Sequence, residues 1–368
     1  MTNPPLPTAA APTSAGPAPT PASPAPTPLG SAPTPVGSAP APVGSAPAPV
    51  GPGRRLLRVL SILACLPYIV LKVAWVAGSE IGIPEGSVLL ERPGMMAAVN
   101  AASVLADAVV VLLALLLTQE WGRRVKAWLL AFPMWAATGL IGPIMIGYPA
   151  QLVVSLATGG ASAEAAVAAE PFVDPWVFPV VYGGFIVQGL CLGTLFALYA
   201  RDRWGRVWSG RLGELPAAVG GPVLRAVTVA AAALALVPAG LRLRWAAGST
   251  DGLSASFAAS YDSDRATLDV VMAALTVLAV LATLLLLLRR PAGLRVRTTM
   301  ALAWVASGAA GCWGAYMSLV ALLPQTDAAK EPTGLMTTAY AGEMITGFLL
   351  AGCLAVVLSR RARGSRTA

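Results

Sequence analysis

ATLDVVMAALTVLAVLATLLLLL occupies residues 266–288 and runs directly into RRPAGLRVR at residues 289–297. At ~1.5 Å of rise per residue, a helix of this length matches the ~30 Å of a bilayer's hydrocarbon core. The arginine cluster behind it marks the end held on the cytoplasmic side by the positive-inside rule. Helix is the state such a run must adopt, because backbone groups left unpaired in lipid cost several kcal/mol each.

The same pattern recurs along the chain. Apolar runs suited to spanning lie near 56–77, 95–118, 126–147, 176–200, 222–245, 266–288, 298–323 and 336–358. The fold class they predict is all-α, a polytopic membrane bundle of about eight transmembrane helices over residues 54–368. In the third run Pro133, Gly139, Gly142, Pro143 and Gly147 predict a kinked or broken helix, with 150–157 either continuing it or lying along the surface.

Connecting segments alternate in charge. One set holds Arg54, Arg55 and Arg58; Arg123, Arg124 and Lys126; Arg201, Arg203, Arg206 and Arg211; Arg289, Arg290, Arg295 and Arg297; and Arg360, Arg361, Arg363 and Arg366. The other set is acidic or near neutral: Glu80, Glu85 and Glu91 against Arg92; Glu164, Glu170 and Asp174; Asp251, Asp262 and Asp264 before Arg265; and Asp327, Lys330 and Glu331. The alternation predicts an even number of crossings in the cell membrane, with both termini cytoplasmic. Trp121, Trp128, Trp204 and Trp208 fall at the inner boundary and Trp75, Trp176 and Trp245 at the outer one, where an amphipathic ring is best accommodated.

Composition agrees. Only 11% of the 368 residues are charged and mean hydropathy is +0.71, against roughly 25% charged residues in a soluble domain. The +8 net charge sits in clusters between apolar runs, a topology signal that excludes a nucleic-acid partner; the partner implied is the lipid bilayer. Histidine is absent and Cys65, Cys191, Cys312 and Cys353 form no CxxC, so the expectation is four buried free thiols, no metal site and no cofactor. No P-loop, G-x-G-x-x-G after a strand, H-E-x-x-H or G-x-S-x-G is present, which argues against an enzyme. Rich in Ala, Gly, Pro and Val and favouring arginine over lysine, the whole chain resembles the multi-pass integral membrane proteins of actinobacterial, high-GC type. That resemblance brings no functional motif with it.

Residues 1–53 carry no charge. From Pro28 a seven-residue unit repeats as PLGSAPT, PVGSAPA, PVGSAPA and PVG. Proline in every unit breaks any helix, and too few large apolar groups exist to offset chain entropy. A disordered cytoplasmic tail of polyproline II character is expected, without the apolar core of a signal peptide.

The two halves share sequence. Leu71-Lys72-Val73-Ala74-Trp75-Val76-Ala77-Gly78-Ser79 matches Leu241-Arg242-Leu243-Arg244-Trp245-Ala246-Ala247-Gly248-Ser249 at an offset of 170. Trp135 and Gly139 match Trp304 and Gly308 at 169; Tyr182, Gly184 and Gly189 match Tyr340, Gly342 and Gly347. A parallel 4+4 internal repeat is predicted, an arrangement found in transporters with sites near the repeat interface.

Charges inside lipid are the functional candidates, since each costs ~2.5–3.5 kcal/mol at mid-helix on insertion scales. Lys72, Asn100, Asp107, Gln188, Asp269 and Glu343 form the candidate intramembrane polar site, with Asn100 and Asp269 at equivalent repeat positions. A Lys72–Glu343 or Lys72–Asp107 ion pair is expected, while Arg242 and Arg244 are expected to snorkel to headgroups. The competing reading is that these polar groups hold helices together. Gly189-x3-Gly193 and Gly308, Gly311 and Gly314 predict close helix contacts. Glu164, Glu170 and Asp174 read as solvated loop charges or cation ligands, and 161–170 as a short surface helix. Two functions follow: a small-solute secondary transporter or permease, proton-coupled through Asp107 or Glu343; or a non-transporting scaffold or sensor subunit.

Overall fold

The computed structural model describes residue 16 and residues 51–367, apart from 86, 88–89, 91–92, 159–172 and 325–326. The expected tail, apart from its last three residues and Gly16, and the expected surface helix with Glu164 and Glu170 lie outside the described residues. Eight helical runs cross the bundle: α1 Pro52–Val76, α2 Pro93–Thr118, α3 Ala127–Ala157, α4 Val177–Trp208, α5 Pro222–Ala246, α6 Ser263–Leu288, α7 and α8 Gly334–Thr367. Seven are single runs long and apolar enough to span a membrane, α4 with a kink at Trp204 near its end. The other, α7, comprises Val296–Gly308, a π-helical turn at Ala309–Trp313, and Gly314–Ala321.

Two local readings are refined. Pro52 and Gly53 belong to the first turn of α1 rather than to the tail, because proline at N1 loses only a donor the helix could not use. Helix α3 runs unbroken through Pro133, Pro143 and Pro149, and 150–157 continue it. Inside a bundle, neighbouring helices re-satisfy the backbone groups a proline frees. The irregularities fall instead at Trp204 of α4 and in the π turn of α7.

Lipid explains the outer surface. Leu156 is 84% exposed and Leu236 74%, and bare leucine, valine and phenylalanine recur along the outward faces of the helices. An apolar surface of this extent is stable only where the solvent is itself apolar.

The two sets of connections separate to opposite ends. At one end Arg54 pairs with Asp202, Arg203 donates to the carbonyl of Val125 (2.8 Å), Arg289 to that of Leu215 (3.0 Å) and Arg360 to that of Ala218 (2.9 Å). The arginines thus bond carbonyls of the connecting segments. At the opposite end the Asp174 amide meets the Gly82 carbonyl, and Gln151 reaches the Asp264 carbonyl.

The halves repeat in three dimensions. Helices α1 and α5 are each 25 residues long, begin with proline and end alike. Gly78 and Gly248 have φ of +88° and +97°, and Ser79 and Ser249 donate back to the carbonyls of Ala74 and Arg244, closing the helix ends. The indole N–H of Trp75 donates to the carbonyl of Ile81, and that of Trp245 to Asp251, six residues on in both. Gly82 abuts Val177, and Gly252 abuts Leu335, again equivalent positions. Helices α3 and α7 cross at Gly139 and Gly308, each so close to the other's backbone that no Cβ fits at Gly139. Equivalent residues meeting each other mark a pseudo-twofold axis, which parallel halves require.

Candidate functional site

One turn before α5 ends, Arg242 points inward. It follows Ala235, Pro238 and Ala239 along the buried stripe of the helix and precedes buried Trp245, whereas Arg244 lies on the exposed face and pairs with Asp251. Two parallel bonds join Arg242 to Glu343 of α8: Nε to Oε1 at 2.9 Å and Nη2 to Oε2 at 3.0 Å. Its Nη1 donates to Asp269 Oδ1 of α6 at 2.6 Å. The other Asp269 oxygen accepts from the Tyr261 hydroxyl at 2.8 Å, and the guanidinium stands 5.4 Å from the centre of the Tyr340 ring. All three charged side chains are buried, Glu343 completely. Only a planar, permanently charged fork can hold two carboxylates this way, so lysine could not replace this arginine. Gly314 admits α7 against Glu343: a Cβ there would lie 2.9 Å from that of Glu343.

Tyr261 sits in the loop before α6. Burial, and then its hydrogen bond to Asp269, raise its hydroxyl pKa well above the ordinary tyrosine value. The phenol therefore remains a donor, as the Asp269 carboxylate needs.

No family model, no curated protein and no solved structure matches this chain.

The cluster forms part of the wall of a cavity of about 500 Å³ between the halves. Tyr148 and Gln151 of α3 and Phe178 and Tyr182 of α4 line it from the first half. Arg242, Trp245, Tyr261, Asp269, Trp313 and Tyr340 line it from the second. Aromatic and aliphatic faces make up most of the wall, with Gln151, Arg242, Asp264, Arg265 and Asp269 as its polar groups, the make-up of a small-molecule pocket. Arg242 keeps two of its five N–H donors uncommitted, because three are directed at carboxylates.

Sequence reasoning placed six residues in one site; the structure sorts them into two levels. Asp269 and Glu343 meet on Arg242. Lys72 donates to Asn100 at 2.8 Å, with the rings of Tyr68 and Trp75 about its ammonium at 5.0 and 4.8 Å. By the repeat offsets, Lys72–Asn100 is the first-half counterpart of Arg242–Asp269, and Phe185 stands where Glu343 stands. Neither expected ion pair forms: the partner of Glu343 is Arg242, and Lys72 turns to Asn100. Asp107 and Gln188 lie deeper and touch neither pair. All four cysteines are free and buried.

Arg242, the centre of the cluster, was expected at the headgroups. The L-[KR]-x-x-W match already put it in the Lys72 position, and Trp245 three residues on put it on the packed face. Tyr340 was marked only as the repeat partner of Tyr182, and Tyr261 gave no signal beyond being a tyrosine near a span end. Glycine contacts divide likewise: Gly189 packs on Ile141 and Met145, and Gly311 on Gly347, but Gly193 meets nothing within 4 Å.

Proposed function

We propose that this chain is a secondary transporter or permease for a small solute, which binds in the cavity between the two halves. The carrying observation is that one cavity draws its walls from both repeats and includes a buried arginine with spare donors. A ligand there would touch both halves at once, so a change in how they pack would move its access from one side of the membrane to the other. Aromatic walls carrying two guanidinium groups, Arg242 and Arg265, beside Asp264 and Gln151 suit a compact, partly apolar solute that bears hydrogen-bonding groups. The arginine-rich end faces the cytoplasm in this reading, consistent with the charge alternation.

A solute panel screened by thermal stabilisation of the purified chain tests it. A hit should lose its effect in Val271→Phe, which fills the cavity, and should be taken up by proteoliposomes holding the wild type. Uptake driven by a proton gradient should fall in Asp107→Asn or Glu343→Gln. Hits indifferent to Val271→Phe, or bound without any flux, would defeat the transport reading.

A further inference from the structure

The cavity between the halves is walled by rings. Tyr182 of α4 meets Tyr148 of α3 and Phe178 of its own helix, with ring centres 5.1 and 5.9 Å apart. Trp245, Phe257, Tyr261, Trp313 and Tyr340 bring five more rings from the second half. The face of an aromatic ring is the negative part of its quadrupole, so a cage of rings attracts a cation that has shed its water. Side chains of this protein already use rings in that way. Arg242 stands 5.4 Å from the centre of Tyr340 and Arg265 4.8 Å from that of Phe257, all four on the cavity wall. In the first half, at the place equivalent to Arg242, the Lys72 ammonium lies between the rings of Tyr68 and Trp75 and donates to one neutral oxygen, that of Asn100.

The charge of the wall has the complementary sign. Its guanidinium groups are Arg242 and Arg265, its carboxylates are Asp264 and Asp269, and Glu343 is bonded twice to Arg242. Three carboxylates against two cations leave one negative charge in excess, and Asp264 carries it. Among the described residues Asp264 forms no ion pair, and its Oδ1 has no hydrogen-bond partner. Neighbouring Arg265 is engaged elsewhere: its Nη1 donates to Ser260 Oγ at 2.6 Å, with the guanidinium over Phe257. The charge within electrostatic reach of Asp264 is that of Asp262, which has the same sign. Gln151 of α3 donates to the Asp264 carbonyl at 3.1 Å and so ties this residue to the first half.

We propose that the solute of this cavity is a compact organic cation of single charge, an ammonium or quaternary ammonium; this rests on the cavity being the transporter's solute site and names its substrate class. The charged head lies among the rings on the Asp264 side. The apolar body covers Met272, Met317 and Met336, whose polarisable thioethers adapt to its shape. The uncommitted donors of Arg242 take one neutral oxygen of the same molecule. A metal ion would find few oxygens here to replace its water, and an anion would face the unpaired carboxylate.

Three probes with one ring and heads of similar size test the class: benzyltrimethylammonium, phenylacetate and 2-phenylacetamide, a cation, an anion and a neutral molecule. Each is added to the purified full chain at equal ionic strength and the midpoint of thermal unfolding is followed. Benzyltrimethylammonium should raise the midpoint, as a ligand of the folded state does, and the other two should not. Asp264→Asn, which removes no side-chain bond of the fold, should raise the half-saturating concentration of the cation about tenfold. Tyr182→Leu should raise it about fivefold and Tyr182→Phe less than about twofold, because the ring face and not the hydroxyl holds the charge. No shift with the cation would overturn the proposal, as would a shift that survives both Asp264→Asn and Tyr182→Leu. Stabilisation by phenylacetate or 2-phenylacetamide that Val271→Phe abolishes would overturn the cationic class while leaving the cavity a solute site. Cation binding that Val271→Phe abolishes, without uptake of the labelled cation into proteoliposomes, would uphold the class and defeat transport.

Discussion

Removing one charge from the Arg242–Asp269–Glu343 cluster strands another in a medium that cannot solvate it. Breaking a buried pair from one side costs ~3–5 kcal/mol, whereas replacing both partners by apolar groups is close to neutral. Arg242→Met should therefore destabilise the purified protein more than Glu343→Gln, and Arg242→Met with Glu343→Leu should be milder than Arg242→Met alone. Midpoints of thermal unfolding in detergent measure this order. Tyr261 adds a prediction in pH. Its phenol keeps its proton in the folded chain above the value of 10.0 at which an unfolded tyrosine ionises. Above that pH the folded state binds more protons than the unfolded, so stability falls as pH rises. The increment should be present in the wild type and absent in Tyr261→Phe when unfolding is followed from pH 9 upward, ~1 unit below the unfolded tyrosine value. At this scale the sequence shows which carboxylates lie in lipid but not which cation meets them. Snorkelling and inward pairing differ only by the face of α5 that a residue occupies, and Arg242 and Arg244 are two residues apart.

Helices pack here through glycine at two close crossings, Gly139 on Gly308 and Gly347 on Gly311. A Cβ on Gly139 would fall 2.3 Å from the Gly308 carbonyl oxygen, and one on Gly347 would fall 2.1 Å from the Gly311 amide nitrogen. Both obstacles are backbone and cannot turn aside. Gly139→Ala and Gly347→Ala should each lower the unfolding midpoint, by the equivalent of ~1–3 kcal/mol of overpacking. Gly193→Ala, with open space around it, should leave the midpoint unchanged. A similar loss in all three would mean that the crossings are not the source of the effect. Helix existence and extent were legible at this scale, since apolar length alone dictates a span. The site of irregularity was not. Pro133 and Pro143, with Gly139, Gly142 and Gly147, argued for a kink or break in α3, yet that helix is continuous, while α7 changes to a π turn in Ala-Ala-Gly-Cys-Trp, a stretch with no proline. That turn ends at Trp313, which lines the cavity. Local breakers report the cost of a bend, and tertiary contacts decide where one is made.

Across the whole molecule, one four-helix plan is used twice with different chemistry. Matching helix ends, matching tryptophan hydrogen bonds and the Gly139–Gly308 contact come from the shared plan. The divergence lies in a few positions: Lys72 against Arg242, Asn100 against Asp269, Phe185 against Glu343, and Asp107 against Thr276. The second half holds a closed ion cluster beside a cavity; the first holds Asp107, a buried carboxylate without an ion pair. The duplication was readable because glycine and tryptophan at turns and crossings tolerate few replacements. The cavity was not, since its lining comes from six of the helices and a loop that no linear pattern brings together.

Parallel halves require equivalent positions to lie on the same side of the membrane. With the four native cysteines replaced, Ser79→Cys, Ser249→Cys and Ser209→Cys can each be exposed to a membrane-impermeant maleimide in intact cells. Ser79→Cys and Ser249→Cys should both be labelled, and Ser209→Cys only after the cells are opened. Labelling of Ser79→Cys but not Ser249→Cys, or of Ser209→Cys in sealed cells, would contradict the eight-crossing, twofold-related bundle.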